Sequence, residues 1–139
     1  MDFVTDRTAA DVAALNDKGT YNTADINRVI SNCNAIAQAL NDAGIPITLT
    51  WTRTTWYRTQ FPTAELMAEY IANVNAIKAA LPNNAPNAPA SMAFLDYTGA
   101  NNIEKILEEI YTLLNNMLSI FPRSGAAISG AVIYEVTNT

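Results

Sequence analysis

The sequence predicts a mainly α-helical fold: a core of three long helices, a short N-terminal helix and a minor β-element at about 46–57 and 131–137. Apolar residues recur at steps of three and four along three separate stretches, which is typical of helices buried on one face. Residues 45–57 instead alternate with a period of two, which is typical of a half-buried strand. The chain has 139 residues, half of them hydrophobic, so a single domain spanning 1–139 is expected.

Capping residues predict the first two helices. Thr8 and Asp11 form a start resembling a capping box, and Gly19 is expected to end the first helix. The second helix is expected over about residues 23–43, ending at Gly44, because Pro46 blocks any continuation.

The later helices are bounded by prolines. The third is expected to follow Phe61-Pro62, with Thr63 as its N-cap, and to end at Leu81-Pro82. The fourth is expected over about residues 98–121. Residues 82–90 are a Pro/Asn/Ala-rich internal linker, and residues 123–139 form a β-like tail that needs a partner strand.

Charged residues on these helices are interpreted as surface groups. Glu104, Glu108 and Glu109 fall on the polar side of the fourth helix, and Asp25 with Arg28 is interpreted as a surface ion pair. The second and fourth helices also show a weak repeat: a shift of 74 positions places Asn27 on Asn101 and Asn41 on Asn115.

Composition limits the chemistry that this chain is expected to perform. It contains no histidine and one cysteine, so catalytic residues, bound metal and cofactors are not expected, and the chain is predicted not to be an enzyme. A net charge of −5 argues against binding a nucleic-acid backbone. No apolar run is long enough for a membrane span, so no membrane partner is expected.

Binding is the remaining chemistry, and it centres on residues 51–57. A period of two directs Trp51 to the core and places Trp56 on the other face. Trp56 and Tyr57 are both expected to be exposed or to be covered by another molecule. These aromatic residues, with Arg53, are candidates for a protein interface or for stacking on sugar rings. The candidate interface comprises Arg53, Trp56, Tyr57, Ile133, Tyr134 and Val136.

Three groups of residues resemble a family of short proteins from the tail regions of phages and prophages of Gram-positive gut bacteria. The first group contains Asp6-Arg7-Thr8, Lys18-Gly19 and residues 21–29, YNTADINRV. The second contains Trp56, Phe61-Pro62-Thr63, Met67, Tyr70-Ile71 and Asn73. The third contains Tyr97, Asn101, Ile103-Glu104-Lys105-Ile106-Leu107 and Arg123-Ser124-Gly125. The resemblance implies a structural part of the virion near the tail tip or baseplate, without catalytic residues.

The expected function is therefore that of a tail or baseplate component that oligomerises and bridges virion subunits, as a homo-oligomer and with other tail proteins. It would be made in the cytoplasm of a bacterial host and assembled into a tail or tail-like particle. One alternative is a carbohydrate-binding module that uses Trp51, Trp56 and Tyr57 to hold a glycan. Another is a small acidic inhibitor of a host nucleic-acid enzyme.

Overall fold

The computed structural model describes residues 1–57 and 63–120 of the chain. These residues form four helices: α1 (Ala9–Ala14), α2 (Thr23–Asp42), α3 (Ala64–Lys78) and α4 (Tyr97–Ile120). The mainly helical class, with three long helices and a short first one, is confirmed. The predicted strand at 46–57 is wrong, because none of these residues forms a strand. The predicted β-like tail, with Ile133, Tyr134 and Val136, lies outside the described residues.

Side-chain caps begin the first three helices. Thr8 and Asp11 form a capping box at α1, as predicted, and Asn22 and Asp25 form a second one at α2. The hydroxyl of Thr63 accepts a hydrogen bond from the N–H of Leu66 and caps α3.

Two of the predicted helix ends are wrong. Helix α1 ends at Ala14 and not near Gly19, because its C-cap residue, Leu15, itself adopts the left-handed conformation (φ 53°). Gly19 lies so close to α1 that a Cβ atom would overlap the carbonyl of Asp11. Helix α3 ends at Lys78, before Leu81, and the side-chain amide of Asn83 donates to the freed Lys78 carbonyl (2.8 Å).

Helix α2 ends where the sequence predicts. Gly44 has a φ of +86°, and the N–H of Ile45 donates to the carbonyl of Leu40 (2.9 Å). The N–H of Gly44 bonds the carbonyl of Asn41, so the end is a Schellman motif.

The three long helices run in the same direction around one core. The direction follows from the segments between the helices. Residues 56 and 47 bond Asn27 and Asn41 on α2, and residues 52 and 50 bond Glu69 and Asn73 on α3, so both helices run opposite to this segment. Residues 7 and 2 bond Asp25 and Asn32 on α2, and residues 7 and 4 bond Asn101 and Glu104 on α4, so α2 and α4 both run opposite to the N-terminal segment. Each pair of long helices is in contact. The core is built from their apolar faces and contains Val29, Cys33, Ile36, Leu40, Tyr70, Val74, Ile77, Ile103, Ile106, Leu107, Ile110 and Leu114.

Because the helices are parallel, a non-helical segment must return the chain before each new helix. The N-terminal segment, residues 2–7, lies along α2 and α4, since Asn32 bonds the carbonyl of Asp2 and Asn101 bonds Arg7. Residues 45–57 return along α2 and α3. Residues 82–95 return along α3 and α4, since Asn87 bonds Lys78 and the N–H of Asn84 bonds Glu109. The predicted linker at 82–90 is thus partly buried, and Ala85 and Ala88 pack against the core.

Asparagine side chains hold these segments in place. Asn73 accepts from the N–H of Thr50 (3.0 Å) and donates to its carbonyl (2.7 Å). The same two-bond pairing recurs between Asn27 and Trp56, Asn41 and Ile47, and Asn101 and Arg7. Each pairing satisfies the backbone groups that a neighbouring strand would otherwise satisfy, so residues 45–57 are held without a sheet.

Candidate functional site

Trp56 is buried, with 4% of its surface exposed, so the prediction that it lies on an outward face is wrong. Exposure alternates from Ile45 to Thr54, but bends at Thr52 and Thr54 end the regular extended course before Trp56 is reached. The pairing with Asn27 then turns the indole inward. The guanidinium of Arg53 lies 4.6 Å from the centre of its ring.

The other aromatic residues of this stretch are less buried than Trp56. Trp51 is half-buried and packs edge-on against Tyr70, with ring centres 6.4 Å apart, while its indole N–H donates to Asn34 (2.8 Å). Tyr57 is 64% exposed. Among the predicted interface residues that the structure describes, Tyr57 is therefore exposed, Arg53 is partly covered and Trp56 belongs to the core.

Four charged side chains meet inside the bundle and form what is here called the buried ion network: Arg7, Asp25, Arg28 and Glu104. Arg7 reaches Glu104 (2.8 Å) and Asp25 (3.3 Å), and Arg28 reaches the same two carboxylates at 2.7 and 2.8 Å. The predictions of a solvated Glu104 and a surface Asp25–Arg28 pair are wrong, because the N-terminal segment covers both carboxylates.

Glu104 is fully buried and its two oxygens accept four hydrogen bonds. One oxygen accepts from the Val4 N–H and the Arg28 Nε, and the other accepts from Arg7 and Arg28. The hydrogen bond from Arg28 to Glu104 is the main reason why the pKa of Arg28 is raised. Because both oxygens are occupied by protein donors, this carboxylate is placed to hold the fold together rather than to accept a proton from a substrate.

The same region contains two hydrogen-bonded phenols, of which Tyr70 is buried and Tyr21 is partly buried. The hydroxyls of Tyr21 and Tyr70 lie 2.5 Å apart, and the Arg7 guanidinium lies 5.5 Å from the centre of the Tyr21 ring. Removal from water raises the pKa of both tyrosines. Neutral phenols are therefore the favoured forms, and one donates to the other.

Several large exposed apolar side chains lie near the beginnings of the three long helices, whereas Met1, Met117 and Leu118, which are also exposed, lie elsewhere. Leu15 is 79% exposed, Phe94 is completely exposed and Tyr97 is 38% exposed. With Val12 and Tyr57 they form what is here called the end face. Leu15 and Phe94 are also the two non-glycine residues with positive φ among the described residues, at 53° and 58°. Leu15 and Phe94 therefore each combine an apolar side chain exposed to water with a backbone conformation that is energetically unfavourable for a residue with a side chain.

A groove of about 580 Å³ opens beside Phe94. It lies between the beginning of α3 and residues 90–95, and its walls include Ile26, Met67, Met92 and Leu95. The hydroxyl-bearing residues Tyr21, Thr63 and Ser91 also line it, and none of its described lining residues carries a charge.

Residues 1–57 and 63–120 contain no cluster of three or more acidic or cysteine side chains that could bind a metal ion. None of the described helices has the length and apolar character that crossing a membrane requires. Comparisons with protein-family models, curated proteins and solved structures give no match for this chain.

Sequence reasoning missed the buried ion network and the end face. Glu104 does carry a signal, since Ala100 and Leu107, at i−4 and i+3, place it beside the apolar stripe and not opposite to it. Phe94 lies in a loop, where no periodicity predicts its exposure.

Proposed function

We propose that this protein is a non-enzymatic structural component of a phage tail, baseplate or related prophage-derived particle, and that it joins neighbouring subunits through its end face. The observation that carries the proposal is the exposure of the apolar side chains of Leu15, Phe94 and Tyr97, which lie close in sequence to the beginnings of α2 and α4. Exposed apolar clusters are a feature of protein–protein contact surfaces.

The conformations of Leu15 and Phe94 strengthen the argument. A left-handed backbone at a branched or bulky residue is unfavourable by about 1–2 kcal/mol, and a fully exposed apolar side chain gains nothing from burial within its own chain. A neighbouring subunit that covers these side chains would recover the burial energy. The same conformations would then position the contact residues before assembly, which lowers the entropy lost on binding.

The tail-protein part of the proposal comes from the sequence resemblance, and the contacts of the resembling residues support it. Arg7, Asp25, Arg28 and Glu104 build the buried ion network, and Asn27, Asn73 and Asn101 hold the extended segments. The resembling residues thus include those that hold this arrangement of helices together, as expected if the likeness reflects a shared scaffold.

The carbohydrate-binding alternative is less well supported by the geometry. It requires Trp51, Trp56 and Tyr57 to present their rings together, but Trp56 is in the core and Trp51 is half-buried.

The inhibitor alternative requires unpaired acidic groups, and two acids, Asp25 and Glu104, are bound to arginines inside the bundle.

Immunolabelling of particles tests the proposal. Antibodies raised against the purified chain would be applied to phage or tail-like particles released by the bacterium that encodes it, and gold label would be located by electron microscopy. Label at the tail tip or baseplate is expected. Particles that lack both the label and the chain by mass spectrometry would contradict the proposal.

A further inference from the structure

The groove beside Phe94 has the size and the lining of a site for an apolar side chain. Its volume of about 580 Å³ lies within the range of about 300–1,000 Å³ that is typical of binding pockets. Methionine and aliphatic side chains dominate its walls, and methionine adapts easily to the shape of an aromatic ring. An uncharged, aromatic occupant therefore suits it.

Phe94 is such a group, but it does not occupy the groove of its own chain. Its neighbours Met92, Ala93 and Leu95 line the groove, while Phe94 itself is completely exposed. Hydrogen bonds from Ala93 N–H to the Ser91 hydroxyl and from Leu95 N–H to the Met92 carbonyl fix the turn, and the left-handed backbone of Phe94 directs its ring outward.

A projecting ring next to an open groove is what a twofold-symmetric contact requires. In such a contact the same patch of both copies meets, so Phe94 of each copy can enter the groove of the other. The net charge of −5 makes two copies repel each other, but the described residues of the groove are uncharged and add nothing to this repulsion at the contact.

We infer that the occupant of this groove is Phe94 of a second copy of the chain, so that the protein pairs with itself by reciprocal insertion. The inference rests on the proposed function and specifies one of its contacts. Two phenylalanine side chains bury about 150–250 Å² each, well below the roughly 1,200 Å² of a stable interface. The pairing is therefore a weak, concentration-dependent dimer that other contacts of the particle reinforce.

Sedimentation velocity over a concentration series tests the inference with two matched variants. Phe94→Asn removes the ring and keeps the backbone conformation, which asparagine tolerates. Leu118→Asn is the control, because it makes a similar change at an exposed apolar residue near the end of α4, outside the end face. Phe94→Asn is expected to weaken the dimer at least about tenfold, as removal of a central aromatic residue does, while Leu118→Asn leaves it unchanged.

A mixing experiment tests the reciprocal insertion itself. Ala68→Trp places a ring in the groove, because Ala68 is exposed and lines it. This variant and Phe94→Asn should each dimerise at least about tenfold more weakly than the wild type. An equimolar mixture should associate more strongly than either variant alone, because the Phe94 of one variant can enter the open groove of the other. A wild-type chain that stays monomeric at every concentration overturns the inference, and so does a Phe94→Asn dimer as stable as wild type. Neither result affects the particle labelling, so the proposed function is tested separately.

Discussion

Glu104 connects three parts of the chain that are distant in sequence. Its carboxylate bonds the N-terminal segment through Val4 and Arg7, and α2 through Arg28, from a fully buried position on α4. A buried carboxylate is tolerated only where donors replace the water that it loses, and here four donors do so. The buried Nε of Arg7 has no hydrogen-bond partner among the described residues, so its burial is less completely compensated.

Glu104→Gln should therefore destabilise the protein strongly. The substitution removes the negative charge and leaves two arginines facing Asp25 alone, which we expect to lower the free energy of unfolding by about 3–5 kcal/mol. Glu108→Gln, at an exposed position on the same helix, should change it by less than about 0.5 kcal/mol. Urea unfolding followed by circular dichroism measures both, and equal midpoints for the two variants would show that the network does not stabilise the fold.

The hydrogen-bonded pair Tyr21 and Tyr70 should make the protein less stable in alkali. Burial raises the pKa of Tyr21 and Tyr70 above the usual 10.0, so the unfolded chain releases their protons at lower pH than the folded chain. Their contribution is complete below pH 10 and is lost as pH rises above it. The double variant Tyr21→Phe/Tyr70→Phe should lose stability less steeply in this range.

Urea midpoints measured at increasing alkaline pH compare the two proteins directly. The single variants Tyr21→Phe and Tyr70→Phe, measured in the same way, show how the effect divides between the two hydrogen-bonded phenols. Identical slopes for the wild type and the double variant would mean that the phenols ionise in the folded state as readily as in the unfolded state.

The extended segments are elements of this fold as much as the helices are. Residues 45–57 have no strand beside them, but asparagines on α2 and α3 supply the donors and acceptors of a neighbouring strand. Such pairings link each segment to specific turns of a helix, and this fixes the position of the segment along the helices that it contacts. Apolar packing alone would fix it less closely.

Asn73→Ala tests this role on α3. The change leaves the N–H and carbonyl of Thr50 without their partner, so we expect a loss of about 1–3 kcal/mol in the free energy of unfolding. Asn75→Ala, at an exposed position two residues later, is the matched control and should change stability by less than about 0.5 kcal/mol. Amide hydrogen exchange should also accelerate at Thr50 in Asn73→Ala only. Unchanged exchange there would show that the asparagine does not hold the segment.

The helices could be predicted because their signals are local. Caps at Thr8 and Thr63 and the glycine at position 44 act within a few residues, and each lies where the sequence places it. The burial of Trp56 could not be predicted in this way, because it depends on a hydrogen bond to Asn27, which lies on another element. The shift of 74 positions that aligns Asn27 with Asn101 did point to a shared role, since both residues hold the backbone of an extended segment.

At the scale of the whole molecule, the parallel course of α2, α3 and α4 places all three helix starts at one end. Antiparallel bundles are joined by short loops, whereas the connections over residues 43–63 and 79–96 are long enough to return along a helix. The length of these connections can be read from the sequence, and connections long enough to return along a helix indicate a parallel arrangement. The exposed apolar residues of the end face follow from it, since the loops that precede the helices meet at that end.

The incorporation of an end-face variant into particles tests the central claim most directly. In a host lacking its own copy of the gene, the double variant Leu15→Asn/Phe94→Asn would be compared with the wild type and with Ser31→Asn/Thr112→Asn, which changes two exposed residues on the sides of the bundle. The amount of chain per purified particle is measured by quantitative mass spectrometry. The account predicts normal incorporation of the wild type and the side variant, and loss of the end-face variant despite an unchanged urea midpoint. Incorporation of the end-face variant at the wild-type level would contradict it.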